Sequence, residues 1–280
     1  WWDLLHPEFP NVNYIDHRGE KGRTLATKGT KVGIKYSDRG KVLRTGGPGS
    51  GYHSKSNAGD PVYQDSFYKV IEDADYLINL AVMKGHHRAG ITLTAKNHFG
   101  SHTRETAKHL HMGLVNTEGK PGALIRDGYG RYRVLVDLMG NKYLGGNTLL
   151  FVVEALWSSS DMGNTAEKFE MPPFNGDWTS SIFMSQDQVA LESVCFDFLR
   201  TEFSKENDHM RSNPHMDGVD DYLRQAADPA NWPDGIVYDP EDDGIPLESL
   251  GVHEHWNNPI DKQYSRNLGK NIGIDLHKVQ

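Results

Sequence analysis

Two mostly apolar runs, Tyr76–Met83 and Thr148–Trp157, interrupted only by Asn79 and Glu154, constrain this chain more than any other feature. Neither reaches the roughly 18 residues that a membrane-spanning helix needs. Both have the length of a strand buried inside a sheet, and the second is rich in strand-forming residues. A third, shorter strand is predicted over Ser181–Met184. Directly after it, Ser185 and Gln188 have the spacing of a helix-capping box, so a helix is expected from there to about Phe203. Leu191, Val194, Cys195, Phe198 and Leu199 recur every three or four residues and form its buried stripe. Shorter helical segments are predicted over Phe67–Ala74, Arg133–Leu144 and Asp220–Ala227. Ile91–Phe99 fits helix or strand on pattern, and Ala95, Lys96 and Gly100 favour a short helix with a glycine stop.

Strands alternating with helices predict an α/β fold, a single domain with a mixed, largely parallel sheet flanked by helices and long loops. Residues 1–60 read as a turn-rich beginning, 65–205 as the sheet and helix core, and 206–280 as an acidic, loop-rich end. The chain opens Trp1-Trp2-Asp3 without methionine, which leads to the expectation that it is the C-terminal portion of a longer protein.

Charge and cysteine content narrow the function classes. The formal net charge is −8, and residues 206–250 carry twelve acids against Arg211 and Arg224. That balance argues against a general nucleic-acid binder. The single cysteine excludes an internal disulfide and an iron–sulfur cluster built from this chain alone. Cys195 falls on the buried stripe and reads as packing. The glycine cluster at 44–52 lacks the Lys-Ser/Thr of a phosphate-binding loop. No nucleophile elbow and no dinucleotide fingerprint is present. Asp239, Glu241, Asp243 and Gly244 echo the start of a calcium loop, but Leu250 stands where its closing glutamate belongs.

Histidine is the anomaly. There are 14 in the chain, and His86, His87, His98, His102, His109 and His111 fall within one short stretch. Imidazole suits metal ligation and proton transfer near neutral pH. His98 and His102 would share a face of a helix, and His109 and His111 a face of a strand. Lys84 follows the first strand directly, where ligands of open α/β sheets bind, and Lys96 lies in the next element. Asp187 stands at another strand end, where the helix dipole alone would favour a carboxylate. Near the C-terminus, His253-Glu254-His255-Trp256-Asn257-Asn258 concentrates polar groups around an indole. The run reads equally as a ligand surface, with Trp256 stacking on a ring, or as a loop that plugs the domain.

The stretch from Leu77 to Gly100 resembles the domain-of-unknown-function 362 family. An apolar strand ends in Lys84-x-His86, then come Ala89-Gly90-x-Thr92 and Lys96-Asn97-x-Phe99-Gly100. A second block, Ser185-x-Asp187-Gln188-Val189-Ala190-x-Glu192, is similar to another family signature. Gln188 stands where that signature has proline, and Glu192 where it has aspartate. The ending, Leu250–Trp256 with Gln263–Leu268, is similar to a long, bacterial, exported branch of the family. The resemblance implies a secreted or periplasmic setting and transfers little chemistry.

These readings lead to one principal expectation. An enzyme site is expected at the strand ends, with Lys84, His86, Lys96, Asn97, His98 and His255 as catalytic residues and Trp256 and Asn257 holding substrate. A divalent metal, where one assists, is expected on His86, Asp187 and His255. The expected ligand is a small polar or anionic, glycan-like molecule. The alternative is a non-catalytic binding or structural protein of the cell envelope or extracellular space. An intracellular redox role is disfavoured by the cysteine content.

Overall fold

The computed structural model describes residues 2–30, 34–39, 42, 66–103, 105–115, 126, 128–161, 163, 165–203 and 218–279. The glycine cluster at 44–52 and the acidic residues between 206 and 217 lie outside them. The described N-terminal part holds a helix α1 (Trp2–Glu8) and a two-residue parallel pairing of β1 (Ile15–Asp16) with β2 (Thr24–Leu25). A short helix α2 (Lys69–Asp73) then leads into β3 (Leu77–Val82).

β3 pairs in parallel with β6 (Thr148–Ala155), and β6 pairs antiparallel with β7 (Ser181–Ser185). Between β3 and β6 the chain makes a small hairpin, β4 (Lys84–His86) with β5 (Gly90–Thr92). Two helices follow, α3 (Thr94–Asn97) and α4 (Val134–Gly140). After β7 come α5 (Gln188–Glu202) and α6 (Asp221–Ala227). The fold is α/β with a mixed sheet whose β3–β6 pairing is parallel, as the alternation of strands and helices predicted.

The core lies on one face of the sheet. Asn79, Ala81, Phe151, Val153 and Ala155 point into it, toward the apolar stripe of α5, where Leu191, Val194, Cys195, Phe198 and Leu199 are all buried. The opposite face differs from expectation. Ile78, Leu80 and Met184 are 60%, 62% and 62% exposed, so the apolar run Tyr76–Met83 is buried on alternate residues only. An apolar run fits burial on both sides, but only the pleat determines which residues share a face.

Two local expectations are corrected. The cap of α5 is Asp187, whose Oδ1 accepts the Ala190 N–H at 2.8 Å, while Ser185 Oγ accepts the Asp187 N–H. His109 and His111 belong to a 3₁₀ helix, Glu105–Gly113, not to a strand. In the Asp239–Gly244 segment, Asp239 accepts the Asp243 and Gly244 N–H groups and Asp243 the Ile245 N–H, while Glu241 accepts from Asn141 and the Lys142 N–H and Asp242 pairs with Lys35.

Candidate functional site

The β4–β5 hairpin and α3 bring two lysines and several imidazoles together beyond the end of β3. His86 is buried, and its Nδ1 accepts the N–H groups of Arg88 at 3.1 Å and Ala89 at 3.2 Å. Burial and then the Lys96 charge hold its pKa down at about 2, so the ring is neutral. With Nδ1 occupied as an acceptor, the ring proton sits on Nε2. His86 stacks between His87, at 4.9 Å between centroids, and His111, at 5.7 Å. His111 meets the Phe99 ring edge to face, and Lys96 Nζ lies 3.8 Å above that same ring.

The lysines give this corner its character. Burial and the neighbouring Lys84 charge bring the Lys96 pKa down to about 7. Among the described residues, the Phe99 ring is the group against the Lys96 ammonium, and no carboxylate offsets its charge. Lys84 donates to Thr92 Oγ1 at 3.2 Å. Burial lowers its pKa too, while the Asp161 charge opposes the shift. Asp161 itself accepts the His87 backbone N–H at 3.0 Å. The sum is a partly enclosed corner rich in donors and positive charge. The expected metal ligands His86, Asp187 and His255 do not group together among the described residues, where the candidate set is Asp220, His253 and His255.

Asn97 and His98, expected in catalysis, instead fasten α3 to the sheet. Asn97 donates to Asn79 Oδ1 at 2.8 Å and to Leu80 O at 3.1 Å. Asn79 Nδ2 donates onward to His98 Nε2 at 3.0 Å and to Thr94 O at 2.9 Å. Burial, then His102, keeps His98 near pKa 3. Glu192 braces the start of α3 from the other side. Its Oε1 accepts from the Thr94 hydroxyl and the Ala95 N–H, and its Oε2 from Tyr222.

The other expected residues part company. Asp187 uses one carboxylate oxygen as the α5 cap and the other to accept the Val252 N–H at 3.0 Å. It thus meets the C-terminal segment as a fastening and does not join His86. Trp256 is buried, edge-on to Phe198 at 5.0 Å, so its ring is core and offers no stacking face. Asn257 closes its own loop by accepting the N–H groups of Asn258 and Gln263.

His255 joins a different set. Among the described residues, Asp220, His253 and His255 form the one trio whose ligand atoms all lie within 4.8 Å of one another. Asp220 Oδ2 stands 3.4 Å from His253 Nε2 and 3.4 Å from His255 Nε2, and Asp220 Oδ1 accepts from Tyr129 at 2.8 Å. Hydrogen bonds with Asp197 and then Asp220 raise the His255 pKa to about 9. Burial alone would push the Asp220 carboxyl up, but the bonds from His253, His255 and Tyr129 carry it well below the usual range. The sequence names His255 as a candidate and His253 only as part of the polar run, and it does not single out Asp220. The signal for His253 was present, because residues two apart in an extended segment share a face. Asp220 was one acid among twelve, and only folding selects it.

The class defined so far is an α/β protein with a cationic corner at a strand end and a separate imidazole–carboxylate trio. The chain belongs to the family described as Domain of unknown function (DUF362), whose model matches residues 14–197. The match takes in the lysine corner and Asp197, while Asp220, His253 and His255 lie beyond it. Comparisons with curated proteins and with solved structures returned no match. Among the described residues, no helix is long and apolar enough to cross a membrane.

Proposed function

We propose that this protein is an enzyme acting on a small anionic substrate, bound where the β4–β5 hairpin meets α3. The observation that carries the reading is Lys96, whose ammonium shares its corner with Lys84 and has an aromatic ring, not a carboxylate, against it. Two lysine charges drawn together out of water are costly unless an anion joins them. A carboxylate, sulfate or phosphate group would take charge-assisted hydrogen bonds from Lys84 and Lys96, with His86 Nε2–H as a third, neutral donor. Lys96, poised at about pKa 7, is the group suited to give or take a proton near neutrality. Asn97 and His98 act as positioning residues, through the Asn79 amide that holds α3 against β3. The sugar-stacking part of the expectation is not retained, because Trp256 is buried. The secreted or periplasmic setting enters this proposal from the resemblance of the Leu250–Trp256 ending alone.

One observation favours a non-catalytic anion receptor instead. Asn97, His98, Asp187 and Asn257 all spend their polar groups on internal hydrogen bonds, which leaves Lys96 as the proton-transfer group. Titration calorimetry with sulfate, phosphate and a set of short organic carboxylates tests the site common to both readings. Saturable binding is expected, weakened at least about tenfold by Lys96→Met with the circular dichroism spectrum unchanged. No saturable binding of any of these anions by the folded wild-type chain would refute both. Turnover of phosphate, sulfate or carboxylate esters, lost in Lys96→Met, separates the enzyme from the receptor.

A further inference from the structure

We infer that Asp220, His253 and His255 form a binding site for a divalent first-row transition ion, of zinc-like coordination, separate from the lysine corner. The inference follows from where the ring protons must be. Ser193 donates its only hydroxyl hydrogen to Val189 O at 2.7 Å, so toward His253 Nδ1, 2.8 Å away, its oxygen acts as acceptor. The proton of that pair therefore sits on His253 Nδ1. His255 Nδ1 lies 2.8 Å from Asp197 Oδ1, a carboxylate oxygen that also accepts from Arg200 Nε at 2.7 Å. The other Asp197 oxygen accepts the Trp256 N–H and the Tyr264 hydroxyl, each at 2.9 Å. With three other donors on it, from Arg200, Trp256 and Tyr264, the Asp197 carboxylate acts as an acceptor, and the proton of this pair sits on His255 Nδ1.

With both Nδ1 protons so placed, each ring presents its Nε2 beside Asp220 Oδ2. Such a contact is held either by a second ring proton or, where Nε2 carries none, by a cation that all three atoms share. The spacing fits a metal ion. Each Nε2 is 3.4 Å from Asp220 Oδ2, and a tetrahedron with bonds of about 2.0–2.1 Å has edges of about 3.3–3.4 Å. The outer contacts match what metal-bound histidines need, an acceptor on the far nitrogen that fixes tautomer and ring orientation. Asp197 serves His255 in this way and Ser193 serves His253, while Tyr129 steadies Asp220. Access also fits: the Asp220 and His253 side chains are 4% and 9% exposed, but His255 is 33% exposed and opens the trio to solvent. Three protein ligands leave a fourth position for water or a ligand.

The competing account of the same geometry is two protonated imidazoles holding Asp220 with no ion. Titration of the whole chain, first dialysed against EDTA, with Zn²⁺ by calorimetry and with Co²⁺ by visible absorption, decides between them. One equivalent of each is expected, with the intense bands of tetrahedral Co²⁺. His253→Ala and Asp220→Asn should abolish stoichiometric uptake. Ser193→Ala, which leaves all three ligands in place, should weaken binding by about 10–100-fold, and His86→Ala should leave it unchanged. Proton NMR of the Co²⁺-loaded wild-type chain supplies the answer if the ligand variants do not fold. Two exchangeable, strongly shifted Nδ1–H signals are expected there, and fewer than two would overturn the site. Absence of stoichiometric uptake by the wild type would overturn it as well. So would uptake that survives in folded His253→Ala and Asp220→Asn, or that is lost in His86→Ala.

Discussion

Gly90 lies directly against Val219: a β-carbon built on Gly90 would stand 2.1 Å from Val219 Cγ2. Gly90 pairs with His86 across the β4–β5 hairpin, and Val219 immediately precedes Asp220. This one close approach seats the hairpin of the lysine corner on the turn that presents the carboxylate of the imidazole trio. Gly90 also has φ +77°, a conformation that side chains other than glycine rarely adopt. Space and backbone therefore both demand glycine. Gly90→Ala is expected to cost roughly 2–4 kcal/mol, combining overpacking with left-handed strain. Urea unfolding measures it, and a loss below about 0.5 kcal/mol, the range of ordinary surface substitutions, would contradict the close packing.

Lys96 predicts a pH dependence with a definite sign. Its folded pKa of about 7 lies below its ordinary value of 10.5. Between those two values the unfolded chain binds more protons than the folded one, so stability from this group rises with pH across that window. Below about pH 7 the buried charge is fully present and the deficit is complete. An anion beside Lys96 removes that deficit, so sulfate should raise the thermal midpoint more at pH 6 than at pH 9. Sulfate keeps its own charge across this range, which makes it a cleaner probe than phosphate. Lys96→Met should flatten the difference, and equal stabilisation by sulfate at both pH values would count against an anion at this lysine.

Glu192 separates support from chemistry. It is buried, and burial first, opposed by the hydrogen bonds from Thr94 and Tyr222, leaves its pKa raised. Its oxygens hold Thr94 and Ala95, the residues that open the helix carrying Lys96. Glu192→Gln keeps the shape but turns an amide donor toward groups that are themselves donors. The expected cost is about 1.5–3 kcal/mol for hydrogen bonds to a charged group lost in the interior. Anion affinity should fall with it, because the start of α3 is no longer fixed, whereas Zn²⁺ uptake should persist. Calorimetric titration of the variant with sulfate and with Zn²⁺ checks both, and unchanged stability would show that Glu192 does not brace this helix.

Much of the fold was legible because local pattern and tertiary role agree. Thr148–Ala155 is a strand as its composition says, and the stripe from Leu191 to Leu199 is buried as its spacing says. The place of Lys84 was legible too, since it follows from the strand-end rule without knowledge of packing, whereas Lys96 reaches the same corner from the helix Thr94–Asn97 only on folding. What local pattern cannot carry is which side chain meets which across the fold. Glu192 and Ala95 are far apart in sequence, as are Asp220 and His255, and nothing in either neighbourhood announces the meeting. Polar residues near a site also divide into those aimed at a ligand and those spent on the backbone. Asn97 and Trp256 are of the second kind, because Asn79 and Phe198 stand ready to take them, and that choice is made only on folding. The exposed face of β3 is the converse case: Ile78 and Leu80 are apolar yet open, so composition predicted burial on two sides where the pleat gives one.

Asp187 offers the sharpest separation of structural from catalytic carboxylates. Its two oxygens join the first turn of α5 to Val252, three residues before His255, and Gly251 packs so closely that a β-carbon there would lie 2.0 Å from Asp187 Oδ1. Asp187→Ala removes a helix cap and the tie to the C-terminal segment together. The cap alone is worth about 0.5–2 kcal/mol, and the freed Val252 N–H lies at an exposed position, where water replaces its partner at little cost. A total loss in the range of the cap alone is therefore expected in thermal or urea unfolding. Sulfate binding should be unchanged, because neither Lys84 nor Lys96 touches Asp187. Zn²⁺ affinity should weaken only modestly, since the ligands stay in place and only the approach to His253 loosens. Complete loss of metal uptake in folded Asp187→Ala would make this carboxylate a ligand after all, and the cap would then be its secondary role.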